Sequence, residues 1–251
     1  MLALSKNTST DNVIRLGKSS SSSFVPGKEY RVIVWNIFKS KKRNWSSDFK
    51  QLKERYDLFL LQEVKLNHRK AILEAYNREM QWTFGESFHF RPAGNSYGIL
   101  IGSDISDISS INLHGPVKEP FLLTPKSSLF SYYRIMESTK PFLIVNTHLI
   151  NFRLNRSFQK QIDQIFHLIQ QHKGPVVLAG DFNTWNPKRK QILVANCLES
   201  QLNEVNFAND KRRLVLDYIF TRELEVKEQE VLFDIRSSDH YPLCFSFRIR
   251  E

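Results

Sequence analysis

The chain has 251 residues, of which 41% are hydrophobic and 25% charged. This is the composition of an ordinary folded protein, and it excludes a disordered, fibrous or low-complexity chain. Its 36 Lys and Arg against 26 Asp and Glu leave a net charge of +10, which calls for an anionic partner such as nucleic acid, a phosphorylated molecule or an anionic membrane surface. Two cysteines, Cys197 and Cys244, have no CxxC spacing and sit among apolar neighbours. They read as buried small hydrophobes in a reducing compartment. No apolar run reaches the roughly 18 residues of a membrane-spanning helix. The N-terminus lacks the apolar core of a secretory signal, so a cytoplasmic monomer is expected.

In chain order, residues 1–28 come first. They carry Ser19 to Ser23 and then Pro26-Gly27, with one acidic residue, Asp11. This reads as a flexible Ser-rich tail, with an export role as the alternative. From Tyr30 onward short apolar runs alternate with amphipathic stretches. Strands are expected at 31–35, 58–61, 97–101, 130–136, 142–145, 176–179, 215–221, 226–232 and 243–249. Helices are expected at 46–55, 66–80, 156–172 and 188–198. The helix at 156–172 has the clearest pattern: Phe158, Ile162, Ile165, Phe166 and Ile169 share one face, and Gly174-Pro175 ends it. Strands interleaved with helices and uninterrupted by a linker make 29–251 one α/β or α+β domain with extensive sheet.

One placement recurs. Val32 to Trp35 ends in Asn36, and Leu58 to Leu61 runs into Gln62-Glu63. Phe142 to Val145 ends in Asn146-Thr147-His148, and Val176 to Ala179 runs into Gly180-Asp181-Phe182-Asn183. Continuous apolar runs suit strands covered on both faces, and residues at the carboxyl ends of such strands can converge on one crevice. Asp217 lies inside an apolar run and Asp239-His240 precedes the last strand. A buried carboxylate is costly unless partnered, so Asp217 is expected to pair with an imidazole. Each residue alone also fits a structural role: Asn36 and Asn183 as turn residues, Asp181 as a helix cap, Glu63 as the start of a helix, and His148 as a core histidine. Repetition of the same placement outweighs those readings. The set is oxygen-rich, with no Cys and no paired His at zinc spacing, and suits a hard cation, Mg²⁺ or Mn²⁺, in phosphate-ester hydrolysis.

The segments VWNI (34–37), LLQEV (60–64), VNTHL (145–149), LAGDFN (178–183), LDYIF (216–220) and SSDHYPL (237–243) resemble, in order, the motifs of the endonuclease/exonuclease/phosphatase superfamily with its deoxyribonuclease I-like fold. The VWNIFKS and THLINF stretches look most like its YafD-like bacterial branch. The resemblance implies a four-layer αββα sandwich of two mixed sheets flanked by helices. It implies that Glu63, with Asn36 and Asp239, binds the divalent metal. Asp181 would orient or deprotonate the attacking water, and Asn183 would hold water or phosphate. Asp217 would orient His240, which would bind the scissile phosphate, while His148 would contact phosphate or assist the leaving group.

Basic clusters flank the motifs at Lys39 with Lys41 to Arg43, at Lys188 to Lys190, and at Lys211 to Arg213; Arg153 and Arg156 follow His148. A basic rim with Arg153 among the substrate contacts favours a nuclease acting on DNA or RNA. Trp45 and Trp185 are candidates to stack on bases or to sit in the core. The alternative is a phospholipase C-like (sphingomyelinase) or inositide phosphatase acting on anionic lipid or inositol phosphates, with 120–125 as an apolar loop. A third reading is a non-catalytic nucleic-acid binder.

Overall fold

The computed structural model describes residues 8–9, 13–67, 80–120 and 123–250. In chain order its elements are β1 (Thr8–Ser9), β2 (Val13–Gly17), β3 (Ser23–Phe24), β4 (Glu29–Asn36), α1 (Trp45–Lys53), β5 (Leu58–Asn67), β6 (Gln81–Phe90), β7 (Asn95–Ser103), β8 (Asp107–Lys118) and β9 (Pro125–Ile135). There follow β10 (Phe142–His148), α2 (Asn155–Gln171), β11 (Val176–Asp181), α3 (Pro187–Glu199), β12 (Asn203–Glu204), β13 (Asp217–Arg222), β14 (Leu224–Val231) and β15 (Leu243–Ile249).

The strands form two mixed sheets. One has the order β1-β8-β9-β10-β11-β13-β12, with β3 also paired to β9; the other runs β14-β15-β4-β5-β7-β6-β2. The inner faces meet in a core that includes Tyr30, Val34, Leu60, Tyr133, Phe142, Ile144 and Phe247. The apolar face of α2 packs with Leu143, Val145 and Leu178 on the outside of the first sheet. Trp45, Phe49 and Leu52 of α1 cover Ile33, Trp35 and Phe59 on the outside of the second. Helix, sheet, sheet and helix make the four-layer deoxyribonuclease I-like sandwich. Strands buried on both faces explain why the motif-bearing runs are continuously apolar.

The nine expected strands correspond to β4, β5, β7, β9, β10, β11, β13, β14 and β15. Two long strands escape a reading by apolar pattern. β8 carries Gly115-Pro116, and its buried Ser110 and Asn112 make side-chain hydrogen bonds, Ser110 with Ser131 and Asn112 with the Glu86 carbonyl. β6 mixes polar residues through its aromatic run. The expected helix at 66–80 is corrected at its start, where Leu66 and Asn67 continue β5; positions 68–79 lie outside the described residues.

The segment expected to be a flexible tail is woven into both sheets where it is described. β2 pairs antiparallel with β6, and β3 pairs parallel with β9. Arg15 forms a 2.7 Å ion pair with Asp107. Phe24 is wholly buried, edge-on to Tyr30, Tyr133 and Phe142 at centroid distances of 4.8, 5.4 and 4.9 Å. The serines hide the short run Val13-Ile14-Arg15-Leu16 and the single anchoring ring. Phe24→Ala is therefore expected to cost about 3–5 kcal/mol, read as a lower urea midpoint; an unchanged midpoint would mean that this segment does not contribute to the core.

Candidate active site

The polar ends of the buried strands fall into register. His148 on β10 lies opposite Asp181 on β11, and Asp181 lies opposite Asp217 on β13. In the other sheet Asn36 on β4 lies opposite Gln62 on β5. Buried amides join the two rows: Gln62 Nε2 donates to Asn146 Oδ1 at 2.7 Å, and Asn146 Nδ2 donates to the carbonyls of Leu61 and Leu100 at 3.0 Å. Both sheets therefore deliver their polar termini to one edge.

Backbone detail aims the side chains. A bulge between Leu61 and Val64 breaks the β5–β7 ladder and puts Glu63 at φ 53°, re-aiming its carboxylate. Gly180 has φ 137°, and a Cβ there would lie 2.0 Å from the Thr147 carbonyl oxygen. Only glycine lets β10 and β11 approach so closely beside Asp181. Asn183 takes φ 50°, held by Nδ2 donating to the Leu149 carbonyl at 2.9 Å. Ser238 Oγ donates to the Asn36 carbonyl and Trp35 Nε1 donates to the His240 carbonyl, which ties the 238–240 loop to β4.

Asp181 is the hub. Its Oδ2 accepts from Asn36 Nδ2 at 3.0 Å and lies 3.4 Å from His148 Nε2 and 3.9 Å from His240 Nε2; its Oδ1 accepts from the Asn183 amide at 3.0 Å. The partner of Asp217 is His240, with Nδ1 2.8 Å from Asp217 Oδ2. Glu63 is ion-paired with Lys39. Lys126 Nζ lies 2.7 Å from His148 Nε2. A cavity of about 450 Å³ is lined by Asn36, Glu63, Lys126, His148, Asp181, Asn183, Asp239 and His240 on its polar side, and by Phe88, Tyr97, Pro125 and Phe152 on its apolar side.

Charge and burial set the protonation states. Burial, reinforced by the charge of Asp217, pushes Asp181 up to about 7. Burial alone would lower His240, but the charge and hydrogen bond of Asp217, with Asp181 and Asp239, raise it to about 10. Burial and then the Lys126 ammonium hold His148 well below its ordinary value, so it is neutral. Burial lowers Lys126, and Glu63 stays below the usual range because Lys39 outweighs its burial. A carboxylate near 7 beside an imidazolium and a neutral ring can exchange protons near neutral pH.

The sequence-derived residues Asn36, Glu63, His148, Asp181, Asn183, Asp239 and His240 line this one cavity, with Asp217 directly behind His240. Arg153 does not line it. Its Nε donates to the Lys118 carbonyl at 2.8 Å, bracing its loop against the end of β8. The basic rim is also thinner than expected. Arg189 is wholly buried, donating to the carbonyls of Ile150, Asn151, Arg153 and Asn183. Lys190 pairs with Glu204, and Arg212 pairs with Asp210. Trp45 is a core aromatic stacked on Phe49, whereas Trp185 is 48% exposed. Sequence reasoning missed Lys126 and Glu119, the latter a buried carboxylate that accepts from the amides of Asn151 and Phe152. No sequence signal marked Lys126, because its place depends on register: Ser128 faces Thr147 in the β9–β10 ladder, which brings the start of β9 beside His148.

Ligand oxygen or nitrogen atoms of Asp181, Asp217 and His240 come within 4.8 Å of one another. The short Asp217–His240 hydrogen bond already satisfies two of them, while Asp217 Oδ1 is buried without a partner. The carboxylates of Glu63 and Asp239 and the carboxamide of Asn36 border the same cavity. That donor set is all oxygen and its one strong carboxylate partner is an ammonium, which fits a hard divalent cation.

The fold is a phosphoesterase fold, and the chain belongs to the endonuclease/exonuclease/phosphatase family, whose profile matches residues 33–240. Members of that family hydrolyse phosphoester bonds, generally with divalent metals. Among individual proteins, the chain is 29% identical over 248 residues to a UPF0294 protein of Vibrio parahaemolyticus serotype O3:K6, covering 96% of this chain and 86% of the relative. It is 32% identical over 232 residues to a UPF0294 protein of Klebsiella pneumoniae, covering 88% and 82%. The human Nocturnin catalytic domain, solved with a bound sulfate anion, has the same fold at TM-score 0.68 and 19% identity, covering 95% of this chain and 98% of that one.

Proposed function

We propose that the protein hydrolyses phosphodiesters with Mg²⁺ or Mn²⁺, using Asp181 as the general base. The observation that carries this reading is the placement of one buried carboxylate, Asp181, hydrogen-bonded to the Asn36 amide and within 3.9 Å of His240 and 3.4 Å of His148 in a single cavity. Asn36, Glu63 and Asp239 would hold the metal, which when bound would neutralise phosphate charge and polarise the scissile bond. Asp181 takes the proton of the attacking water, and Asn183, with its Nδ2 spent on Leu149, orients that water through Oδ1. His240, kept protonated by Asp217, donates Nε2–H to a phosphoryl oxygen as negative charge grows there. His148 and Lys126 stand on the other side of Asp181, where the leaving oxygen needs a proton or a positive charge.

The net charge of +10 supports nucleic acid as the substrate. The apolar cavity wall and exposed apolar residues near it support the second reading, a lipid or inositol phosphodiester. A panel of DNA, RNA, inositides and sphingomyelin tests both. One substrate is expected to be cleaved, with EDTA abolishing turnover and added Mg²⁺ or Mn²⁺ restoring it. EDTA-resistant turnover would overturn metal dependence. Turnover retained by His240→Ala would overturn the assigned site.

A further inference from the structure

The mouth of the cavity is apolar in a way that substrate hydrolysis alone does not require. Five of the nine large hydrophobic residues that stand exposed among the described residues lie on loops beside it: Leu123 (65% exposed), Phe152 (63%), Leu154 (81%), Trp185 (48%) and Leu214 (56%). Leu123 sits between Glu119 and Thr124, whose backbones are hydrogen-bonded, in the loop joining β8 to β9. Phe152 and Leu154 follow β10, Trp185 follows β11, and Leu214 precedes β13. These are the ends that carry His148, Asp181 and Asp217, so the five side chains rim one edge of the sandwich.

The rim is built, not loose. The buried Arg189 guanidinium gathers the carbonyls of Ile150, Asn151, Arg153 and Asn183. Glu119 ties the β8–β9 loop to the amides of Asn151 and Phe152. Trp185 Nε1 donates to the Asn151 carbonyl, and Arg189 lies 4.8 Å from the Trp185 ring centroid. This network holds Phe152 and Trp185 exposed to water at a cost, and a cluster of exposed apolar side chains marks an interaction site. Exposed cations flank it: Lys118, Arg156, Lys188, Lys211 and Arg213.

We propose that this edge docks on an anionic lipid surface, so that the catalytic cavity opens against the headgroup layer. Three of the five apolar residues are leucines, which have no π-face for a nucleobase but insert readily among acyl chains. Apolar side chains backed by Lys and Arg are the pairing that anionic bilayers select. The proposal rests on the phosphoesterase reading only for what the cavity does once docked.

Trp185 is the natural reporter, because the other three tryptophans, Trp35, Trp45 and Trp82, are buried at 1%, 7% and 1% exposure. With the full chain and phosphatidylglycerol–phosphatidylcholine vesicles, Trp185 emission should shift to the blue and the protein should sediment with the vesicles. Binding should weaken with salt and fall sharply on phosphatidylcholine alone. The double variant Leu154→Ser/Leu214→Ser removes two exposed side chains outside the cavity lining. It should lose about tenfold or more in vesicle affinity with an unchanged melting temperature. No emission shift and no sedimentation would overturn the proposal. So would Trp185 quenching by single-stranded oligonucleotides without vesicle binding, which would make the edge a base-stacking platform. Vesicle binding without hydrolysis of any phosphodiester would leave the docking edge standing and refute the phosphodiesterase reading instead.

Discussion

Asp181→Asn is expected to lower kcat by about 10²–10⁴-fold, the range associated with removing a positioned general base. The assay is single-turnover hydrolysis of whichever phosphodiester the panel identifies. In the wild type, log kcat/KM should rise with pH and level off above about 7, because Asp181 must be deprotonated to accept the proton and burial holds it up to about 7. The variant should lose that limb. The same group also leaves a stability signature. Unfolded, the carboxyl loses its proton near its ordinary value of 3.8; folded, it keeps the proton to about 7. Between those values the folded state binds the extra proton, so stability from this group is present at low pH and falls as pH rises from about 4 to about 7. Asn cannot titrate. The difference in melting temperature between variant and wild type should therefore move in favour of the variant across that window. The new amide faces the Asn36 Nδ2 donor, but any penalty from that contact does not vary with pH and does not mask the trend. A variant that keeps near-full activity would remove Asp181 from the chemistry. A flat difference from pH 4 to 8 would mean that its proton affinity is ordinary.

How far the sequence could be read follows from what each inference depended on. The strand ends were legible because a strand buried on both faces must be apolar until it meets the edge, so Asn36, Glu63, His148 and Asp181 stood out against their own runs. That they share a row was not legible. It depends on the β10–β11–β13 register, and one residue of slip would have turned each side chain to the other face. Asp217 could be assigned an imidazole partner from the cost of burying it alone, although only the fold selects His240. Charge was the poorest guide. Lys188, Arg189 and Lys190 look alike in sequence, yet Arg189 is wholly buried as a loop organiser and Lys190 is paired with Glu204. Guanidinium groups can be buried when carbonyls surround them, and three of those four carbonyls, of Ile150, Asn151 and Arg153, lie more than thirty residues away in sequence. Phe24 was hidden by the serines around it, because one aromatic in a polar segment has no periodicity to detect.

Asp217→Asn tests the other half of the site without touching substrate. Asn can still accept from His240 Nδ1–H, so the ring should keep its orientation but lose the charge that holds it protonated. With that charge gone, burial is opposed only by the charges of Asp181 and Asp239, and the His240 value should fall from about 10 toward the ordinary 6.5. Near pH 8 the ring would then be neutral, with its proton on Nδ1 and none on Nε2 to donate to the phosphoryl oxygen. Loss of one such donor costs about 10²–10³ in kcat. The pH profile separates this from simple misfolding. Wild type should stay active until pH approaches 10, while the variant should fall off near neutrality and give a narrow bell. Histidine nitrogen NMR at pH 8 gives an independent readout, with an imidazolium at His240 in the wild type and a neutral ring in the variant. The variant should also lack a pH-dependent part of the stability. In the wild type the raised His240 value stabilises the fold fully below about 6.5, and that contribution is lost as pH rises through about 10. An unchanged alkaline limb together with a neutral wild-type ring would mean that Asp217 only braces His240, and that the positive charge on the phosphate comes from Lys126 and Lys39 instead.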